Sequence, residues 1–131
     1  MNLLEWTSAF IDYMNSFKRD ITNKKVEKNI IICKHSEKGT IKYIIEETLT
    51  QAVFEKFEGK IVLITLNSKH NLKFLVENWQ KFSENNSLKI IFVNPKLNLQ
   101  WSIVPYLHHK FADPDSLKTG IESLFSSVPE I

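Results

Sequence analysis

The segment NIIICKHSEKGTIKYIIEETLTQAVFEKFEG, residues 29–59, determines what kind of sheet this chain builds. It opens with an apolar, β-branched run at 29–33, which is typical of a strand buried on both faces. A polar turn at 33–40 follows. Apolar side chains then recur at helical spacing over 41–57, and Gly59 stands where a helix C-cap is expected. The segment therefore predicts a strand, a turn and an amphipathic helix, the order found in parallel sheets.

The rest of the chain continues this alternation. Residues 22–28 are polar and rich in lysine, and we interpret them as a connector. Asp113 followed by Pro114 predicts the start of a last helix, because aspartate can cap a helix and proline fits its first turn. Other apolar patterns predict helices over 3–21 and 72–82, the latter capped at 67–68, and buried strands over 61–66 and 88–93.

The segment 97–107 can be interpreted in two ways. Leu99, Trp101 and Ile103 alternate with polar residues as in a strand, but Pro105 would confine that strand to a sheet edge. The predicted order α-β-α-β-α-β-(β)-α favours one three-layer α/β domain over residues 1–131. We expect a mostly parallel sheet of three to four strands with helices on both faces, a Rossmann-like or flavodoxin-like architecture.

The composition is that of an ordinary folded domain, with 43% hydrophobic and 24% charged residues. Glu5 and Asp12 interrupt the amino-terminal apolar pattern, so no signal peptide is expected. No apolar run approaches the roughly 20 residues that span a membrane. A single cysteine, Cys33, excludes an internal disulfide and fits a reducing compartment. We therefore expect a cytoplasmic protein without a membrane partner.

The charge balance argues against sequence-specific nucleic-acid binding. The net charge is only +2, and Arg19 is the single arginine of the chain. Guanidinium groups are the usual means of bidentate contact with phosphate and guanine, and lysine replaces them poorly.

Two predicted strand-to-helix turns, 33–40 and 67–71, carry cations that an anionic ligand would explain. In a parallel sheet both turns lie at the carboxyl edge, where ligands of such folds bind. Cations at a helix start oppose the helix dipole. The alternative is that these are ordinary exposed lysines, which are abundant in this chain. The predicted ligand-binding residues are Lys34, His35, Ser36, Lys38, Gly39, Thr40, Lys69 and His70.

The first turn shares features with two known phosphate loops. Cys33 and Gly39 have the spacing of the loop in cysteine-dependent phosphatases, but Gly39 stands where that loop has its arginine, so a buried structural cysteine is favoured. Ser36, Gly39 and Thr40 resemble the flavodoxin phosphate loop in residue type, which would imply a flavin phosphate as ligand. Thr40 follows the glycine one residue too early for that loop. We expect no cofactor.

No metal site and no catalytic set are expected. His108 and His109, with Asp113 and Asp115, are metal-ligand residue types, but adjacent histidines point in different directions and Asp113 is explained as a cap. A pair of solvent-facing histidines is the simpler interpretation.

The segment 97–107 supplies the predicted interface residues: Leu99, Trp101, Ile103 and Tyr106. As an edge strand it could pair with another chain, whereas as a loop it would pack on the sheet. Two functional hypotheses follow. The first is a non-catalytic binding or interaction domain that self-associates or acts as an accessory subunit. The second is a domain that binds a phosphorylated small molecule or a nucleotide at turns 33–40 and 67–71.

Overall fold

A six-stranded mixed sheet lies at the centre of the computed structural model, which describes residues 2–131. The strands lie side by side in chain order: β1 Ile21–Glu27, β2 Ile30–His35, β3 Gly39–Ile45, β4 Lys60–Leu66, β5 Leu88–Asn94 and β6 Leu99–Ile103. β1, β2 and β3 form an antiparallel meander, and β6 runs antiparallel to β5. Only the pairs β3–β4 and β4–β5 are parallel.

Helices cover the two faces of the sheet unequally. The five helices are α1 Leu3–Lys18, α2 Lys69–Glu77, α3 Trp79–Ser83, α4 Pro105–Phe111 and α5 Leu117–Ser126. Helix α1 alone packs on one face, where Leu3, Trp6 and Ile11 join a core with Ile31 and Ile64. The other helices pack on the opposite face, over the half of the sheet that contains β4, β5 and β6. Within residues 2–131 no helix is both long and apolar enough to cross a membrane.

Several predicted elements are confirmed. The strands predicted over 61–66 and 88–93 are β4 and β5, and the first predicted helix is α1. Ser68 caps α2 by accepting a hydrogen bond from the backbone N–H of Asn71 at 3.2 Å. Asp113 accepts from the N–H of Asp115 and so begins the short 3-10 helix that leads into α5. The helix predicted over 72–82 is divided at Asn78 into α2 and α3.

The predicted sheet, mostly parallel with three to four strands and Rossmann-like or flavodoxin-like, is wrong. The sheet has six strands, and three of its five pairings are antiparallel. The error originates in residues 41–57, which form no continuous helix. They continue β3, pass through a loop and end in a 3-10 helix, Gln51–Lys56. Ile41, Tyr43 and Ile45 face α1 while Ile44 faces the other core, which is the two-residue period of a strand.

The connector predicted over 22–28 is also wrong, because these residues form most of β1. This strand is polar since it lies at the sheet edge and only one side of it meets a neighbour. Lys24 fixes β1 to α1, donating hydrogen bonds to Ser8 Oγ at 2.7 Å and Asp12 Oδ1 at 2.8 Å. The opposite edge of the sheet is β6, so the edge-strand interpretation of Leu99–Ile103 is confirmed.

Candidate ligand-binding cleft

The topology separates the two turns that carry the predicted ligand residues. β2 runs against β3, β4 and β5, so its turn into β3 lies at the edge where these three strands begin. The turn after β4 lies at the opposite edge. There Lys69 Nζ is 3.8 Å from Glu130 Oε1, and His70 Nε2 is 3.0 Å from the carbonyl oxygen of Leu49. Lys69 and His70 are therefore not brought together with the first turn.

The sheet also divides the first group of predicted residues between its two faces. Lys34 pairs with Thr40 in the β2–β3 register, and both side chains face away from α1. His35 pairs with Gly39 and lies on the α1 face, as do Cys33 and Ile31, two and four residues earlier. Ser36 lies in the turn and donates its backbone N–H to the carbonyl oxygen of Asp20 at 2.8 Å.

A cleft of about 210 Å³ lies between the carboxyl end of α1 and the sheet, at the edge that holds the first turn. Its inner wall is apolar and comes from α1 and from β3, β4 and β5. Its polar groups converge from six separate elements or turns. They are Asn15, Lys18, Asp20, His35, Lys38, Tyr43 and Lys89.

His35 contributes a largely buried imidazole to the cleft. Its side chain is only 8% exposed, and neither ring nitrogen has a hydrogen-bond partner among residues 2–131. Asp20 Oδ2 lies 3.3 Å from Nδ1, close enough for charge attraction but outside the direction in which a ring N–H would point. Buried polar atoms are nearly always paired in folded proteins, so these two nitrogens indicate a place where a hydrogen-bonding group is needed.

Asp20 responds to the positive charges around it. Partial desolvation alone would raise the pKa of its carboxyl group, but contact with His35 and the charges of His35 and Lys38 outweigh that effect. The pKa of Asp20 therefore lies below its ordinary value of 3.8. At neutral pH the carboxylate is ionised beside the imidazole.

Tyr43 and Cys33 are both kept in their protonated forms. Burial, with smaller effects from Cys33 and Asp20, raises the pKa of the Tyr43 phenol to about 12. Burial also raises the pKa of the Cys33 thiol, which is fully enclosed under α1. A thiol of this kind is a poor nucleophile, because the thiolate is the reactive form. The phenol of Tyr43, in contrast, lines the cleft as a hydrogen-bond donor.

Three lysines supply the positive charge of the cleft. Lys18 comes from α1, Lys38 from the first turn and Lys89 from β5, and all three are exposed toward solvent. Lys60 lies beside them at the start of β4 and donates to the carbonyl oxygen of Lys38 at 2.6 Å. Against these cations the cleft itself contains one carboxylate, Asp20. Its electrostatics therefore favour an anion.

Sequence reasoning identified His35 and Lys38 but missed Lys18, Asp20, Tyr43 and Lys89. Lys18 and Asp20 reach the cleft because α1 packs on this face of the sheet, and Lys89 lies near Tyr43 because β4 and β5 follow β3 in the sheet. One local signal was available: Ile41, Tyr43 and Ile45 lie two residues apart, the spacing of one face of a strand, and in the β2–β3 register that face is also the face of His35.

The four predicted interface residues lie on β6 and α4, away from the cleft. Trp101 is 6% exposed, stacks on Phe92 with ring centroids 4.3 Å apart, and donates to Asn67 Oδ1 at 2.8 Å. Ile103 is likewise buried. Leu99 and Tyr106 keep 44% and 36% of their surface exposed.

The histidine pair on α4 is occupied by contacts with Trp79. His109 Nδ1 accepts a hydrogen bond from Trp79 Nε1 at 3.0 Å, and the ring of His108 packs edge-on against the same indole. Among residues 2–131 no group of three or more His, Cys, Asp or Glu side chains is placed to hold a metal ion.

The chemistry of the cleft thus consists of an imidazole, a carboxylate, a phenol and three ammonium groups around an apolar wall. No protein-family model, no curated protein and no solved structure matches the chain. This set of groups can hold and neutralise a small anion by ion pairing and hydrogen bonding.

Proposed function

We propose that this protein is a non-catalytic binding domain whose ligand is a small organic anion, a phosphomonoester in the first place, held in the cleft beneath α1. The observation that carries the proposal is His35, which lines a cationic cleft and whose buried ring nitrogens have no hydrogen-bond partner among residues 2–131. An unpaired buried polar group costs about 1–3 kcal/mol, and an anionic oxygen that accepts from the ring removes that cost.

The placement of the cations supports the same ligand class. Lys18, Lys38 and Lys89 surround the cleft, and Tyr43 adds a donor that stays protonated well above neutral pH. Phosphate offers several acceptor oxygens, so it can meet an imidazole, a phenol and an ammonium group together.

The size of the cleft favours a small molecule over a nucleotide or a flavin. Its volume of about 210 Å³ is below the roughly 300–1,000 Å³ of clefts that enclose drug-sized ligands. The apolar wall formed by Ile41, Val62 and Ile91 fits a short carbon skeleton.

The side chains around the cleft support binding without chemistry. The thiol of Cys33 lies in the core with a raised pKa, and it does not line the cleft. The imidazole and the carboxylate of Asp20 have no hydroxyl or thiol nucleophile in the cleft lining to activate, apart from a phenol that stays protonated.

Calorimetric titration and thermal shift with glycerol 3-phosphate, inorganic phosphate and glycerol test this function. We expect the two phosphates to raise the melting temperature at about 10 mM and glycerol to have no such effect at the same concentration, since binding to the folded state stabilises it by mass action. Lys38→Gln should weaken phosphate binding about tenfold, as expected for one lost charge-assisted contact.

Lys34→Gln is the matched control, because Lys34 is an exposed lysine on the same hairpin whose side chain faces the other side of the sheet. Its affinity for phosphate should equal that of the wild type. Equal losses of phosphate affinity in both variants would show that general surface charge, not the cleft, causes the effect. No stabilisation by either phosphate would refute the proposed function.

A further inference from the structure

The two edges of the sheet differ in how they are protected against pairing with another chain. β1 carries Lys24, Lys25 and Glu27, and its register with β2 is irregular between Ile21 and Asn23. Charged side chains and irregular register are the usual protections of an exposed edge. β6 has neither: it reads Leu-Gln-Trp-Ser-Ile and pairs regularly with β5 over its full length.

The lack of charge extends well beyond β6. No Asp, Glu, Lys or Arg occurs in residues 97–107. Leu97 and Leu99 are 54% and 44% exposed, and Tyr106 and Leu107 follow on α4 with 36% and 48% exposed. Such a combination of free backbone hydrogen-bonding groups and exposed apolar side chains is the pattern of a strand that pairs with another strand.

An aromatic groove of about 700 Å³ lies next to this edge, on the α1 face. Its walls are residues of α1, of the β5–β6 turn and of β6: Trp6, Phe10, Tyr13, Met14, Pro95 and Gln100. Trp6 fixes the groove by stacking on Phe10 and by donating to Asn98 Oδ1 at 2.9 Å. A partner strand on β6 would therefore lie beside apolar surface on both faces of the sheet.

We propose that β6 pairs antiparallel with β6 of a second copy of this chain, about a two-fold axis at Trp101, so that one sheet continues through both copies. The strand is its own complement in this register. Leu99 lies opposite the partner's Ile103 on the face of α2–α5, and Gln100 lies opposite the partner's Ser102 on the α1 face. Apolar thus meets apolar, polar meets polar, and no like charges meet.

A second copy fits this edge better than a helix or an apolar small molecule. Only an extended strand can pair the free N–H and C=O groups of β6. The alternation of Leu99, Gln100, Trp101, Ser102 and Ile103 reads with the same polarity in both directions, so the two-fold operation preserves it.

Sedimentation equilibrium of three proteins tests the dimer: the wild type, Gln100→Glu with Ser102→Glu, and Gln100→Lys with Ser102→Glu. Both side chains are exposed, so all three chains should fold, and circular dichroism verifies this. In the proposed register the first variant sets glutamate against glutamate at both cross-strand positions, and the second sets lysine against glutamate. We expect the dissociation constant of the dimer to rise at least about tenfold in the first variant. In the second variant it should equal that of the wild type.

A wild type that remains monomeric at concentrations on the order of 0.1 mM would overturn the proposal, because paired edges of this kind should associate below that. If the wild type is a dimer and the glutamate variant has the same dissociation constant, the interface is not at β6, and the proposal is also overturned. Loss of dimer in both variants would exclude the Trp101-centred register. Phosphate binding in the cleft should be the same in all three proteins, since Gln100 and Ser102 do not line it.

Discussion

The ring of His35 is positioned by neighbours that do not bond to it. Gly39, directly opposite in the β2–β3 register, has no side chain, and Asp20 attracts the ring without a linear hydrogen bond. The ring is therefore oriented by charge and by packing, and its nitrogens stay free for a third group. Among the side chains that line the cleft, this one carries the proposed binding function most directly.

Tyr43 makes the stability of the protein depend on pH at the alkaline end. Its folded pKa of about 12 lies above its ordinary value of 10, so the unfolded chain releases the phenolic proton first as the pH rises. The stabilisation is complete below about pH 10 and is lost between about pH 10 and pH 12. Tyr43→Phe should reduce the decrease in unfolding free energy at alkaline pH by up to about 2 kcal/mol.

Urea denaturation at about pH 9 and about pH 11 measures the effect, as the change in unfolding free energy between the two conditions. Tyr13→Phe is the control, since Tyr13 is 63% exposed on α1. We expect Tyr13→Phe to lose stability with pH as the wild type does. An equal alkaline loss in Tyr43→Phe would show that burial of Tyr43 does not cause it.

At the level of elements, the turn between β2 and β3 depends on the left-handed backbone of Gly39. Its φ is 78°, and a Cβ atom built there meets no atom within 4 Å. A substitution is therefore disfavoured by backbone strain alone. Gly39→Ala should lower the free energy of unfolding by about 1–2 kcal/mol, the usual cost of a left-handed residue with a Cβ.

Gly39→Asn distinguishes strain from crowding in the same urea experiment. Asparagine is larger than alanine but adopts left-handed backbone more readily, so it should cost less. If Gly39→Asn cost more than Gly39→Ala, crowding rather than backbone conformation would explain the glycine.

The strands and helices with a single strong periodicity were predictable, and β3 was not. Ile41, Ile44 and Ile45 fit a helical stripe as well as they fit a strand, because the chain between 41 and 57 has no early glycine or proline to separate the two patterns. The deciding factor is not local: β2 and β4 lie on either side of β3 and supply its hydrogen bonds. Tertiary pairing thus overrode the apparent helical period.

The same limit explains how much of the cleft was predictable. His35 and Lys38 belong to one turn, so their proximity follows from the sequence. Lys89 reaches the cleft because it lies next to Val62, which lies next to Tyr43, in a row across β5, β4 and β3. That row exists only once the strand order is known. The predicted meeting of turns 33–40 and 67–71 depended on β2 and β4 being parallel, and they run in opposite directions.

At the scale of the whole molecule, two buried asparagines join separate segments at the carboxyl edge of the parallel strands. Asn71 joins the segment after β3 to α2, accepting from the N–H of Leu49 at 2.9 Å and donating to the carbonyl oxygens of Glu47 and Leu66. Asn67 joins β4 to the last turn of the chain and to Trp101 of β6. These amides connect segments that the sheet alone leaves unlinked.

Asn67→Ala tests whether this amide holds the carboxyl-terminal segment on the sheet. The variant loses the bond from Trp101 Nε1 at 2.8 Å and the bond to the carbonyl oxygen of Val128 at 3.0 Å, and it leaves both groups buried without a partner. Two unsatisfied buried groups should cost about 2–5 kcal/mol of unfolding free energy. Asn86→Ala, at an exposed asparagine, should cost less than about 0.5 kcal/mol.

Hydrogen exchange shows which part of the structure is destabilised in Asn67→Ala. The backbone N–H of Ile131 donates to the carbonyl oxygen of Asn67 at 2.9 Å, so its protection reports directly on the docking of the last residues. In Asn67→Ala we expect protection to fall at Val128 and Ile131 and to persist in β2 and β3, because the far half of the sheet does not contact the amide. A uniform fall across the sheet would instead make Asn67 part of the global core, and the carboxyl-terminal segment would then unfold only with the rest of the molecule.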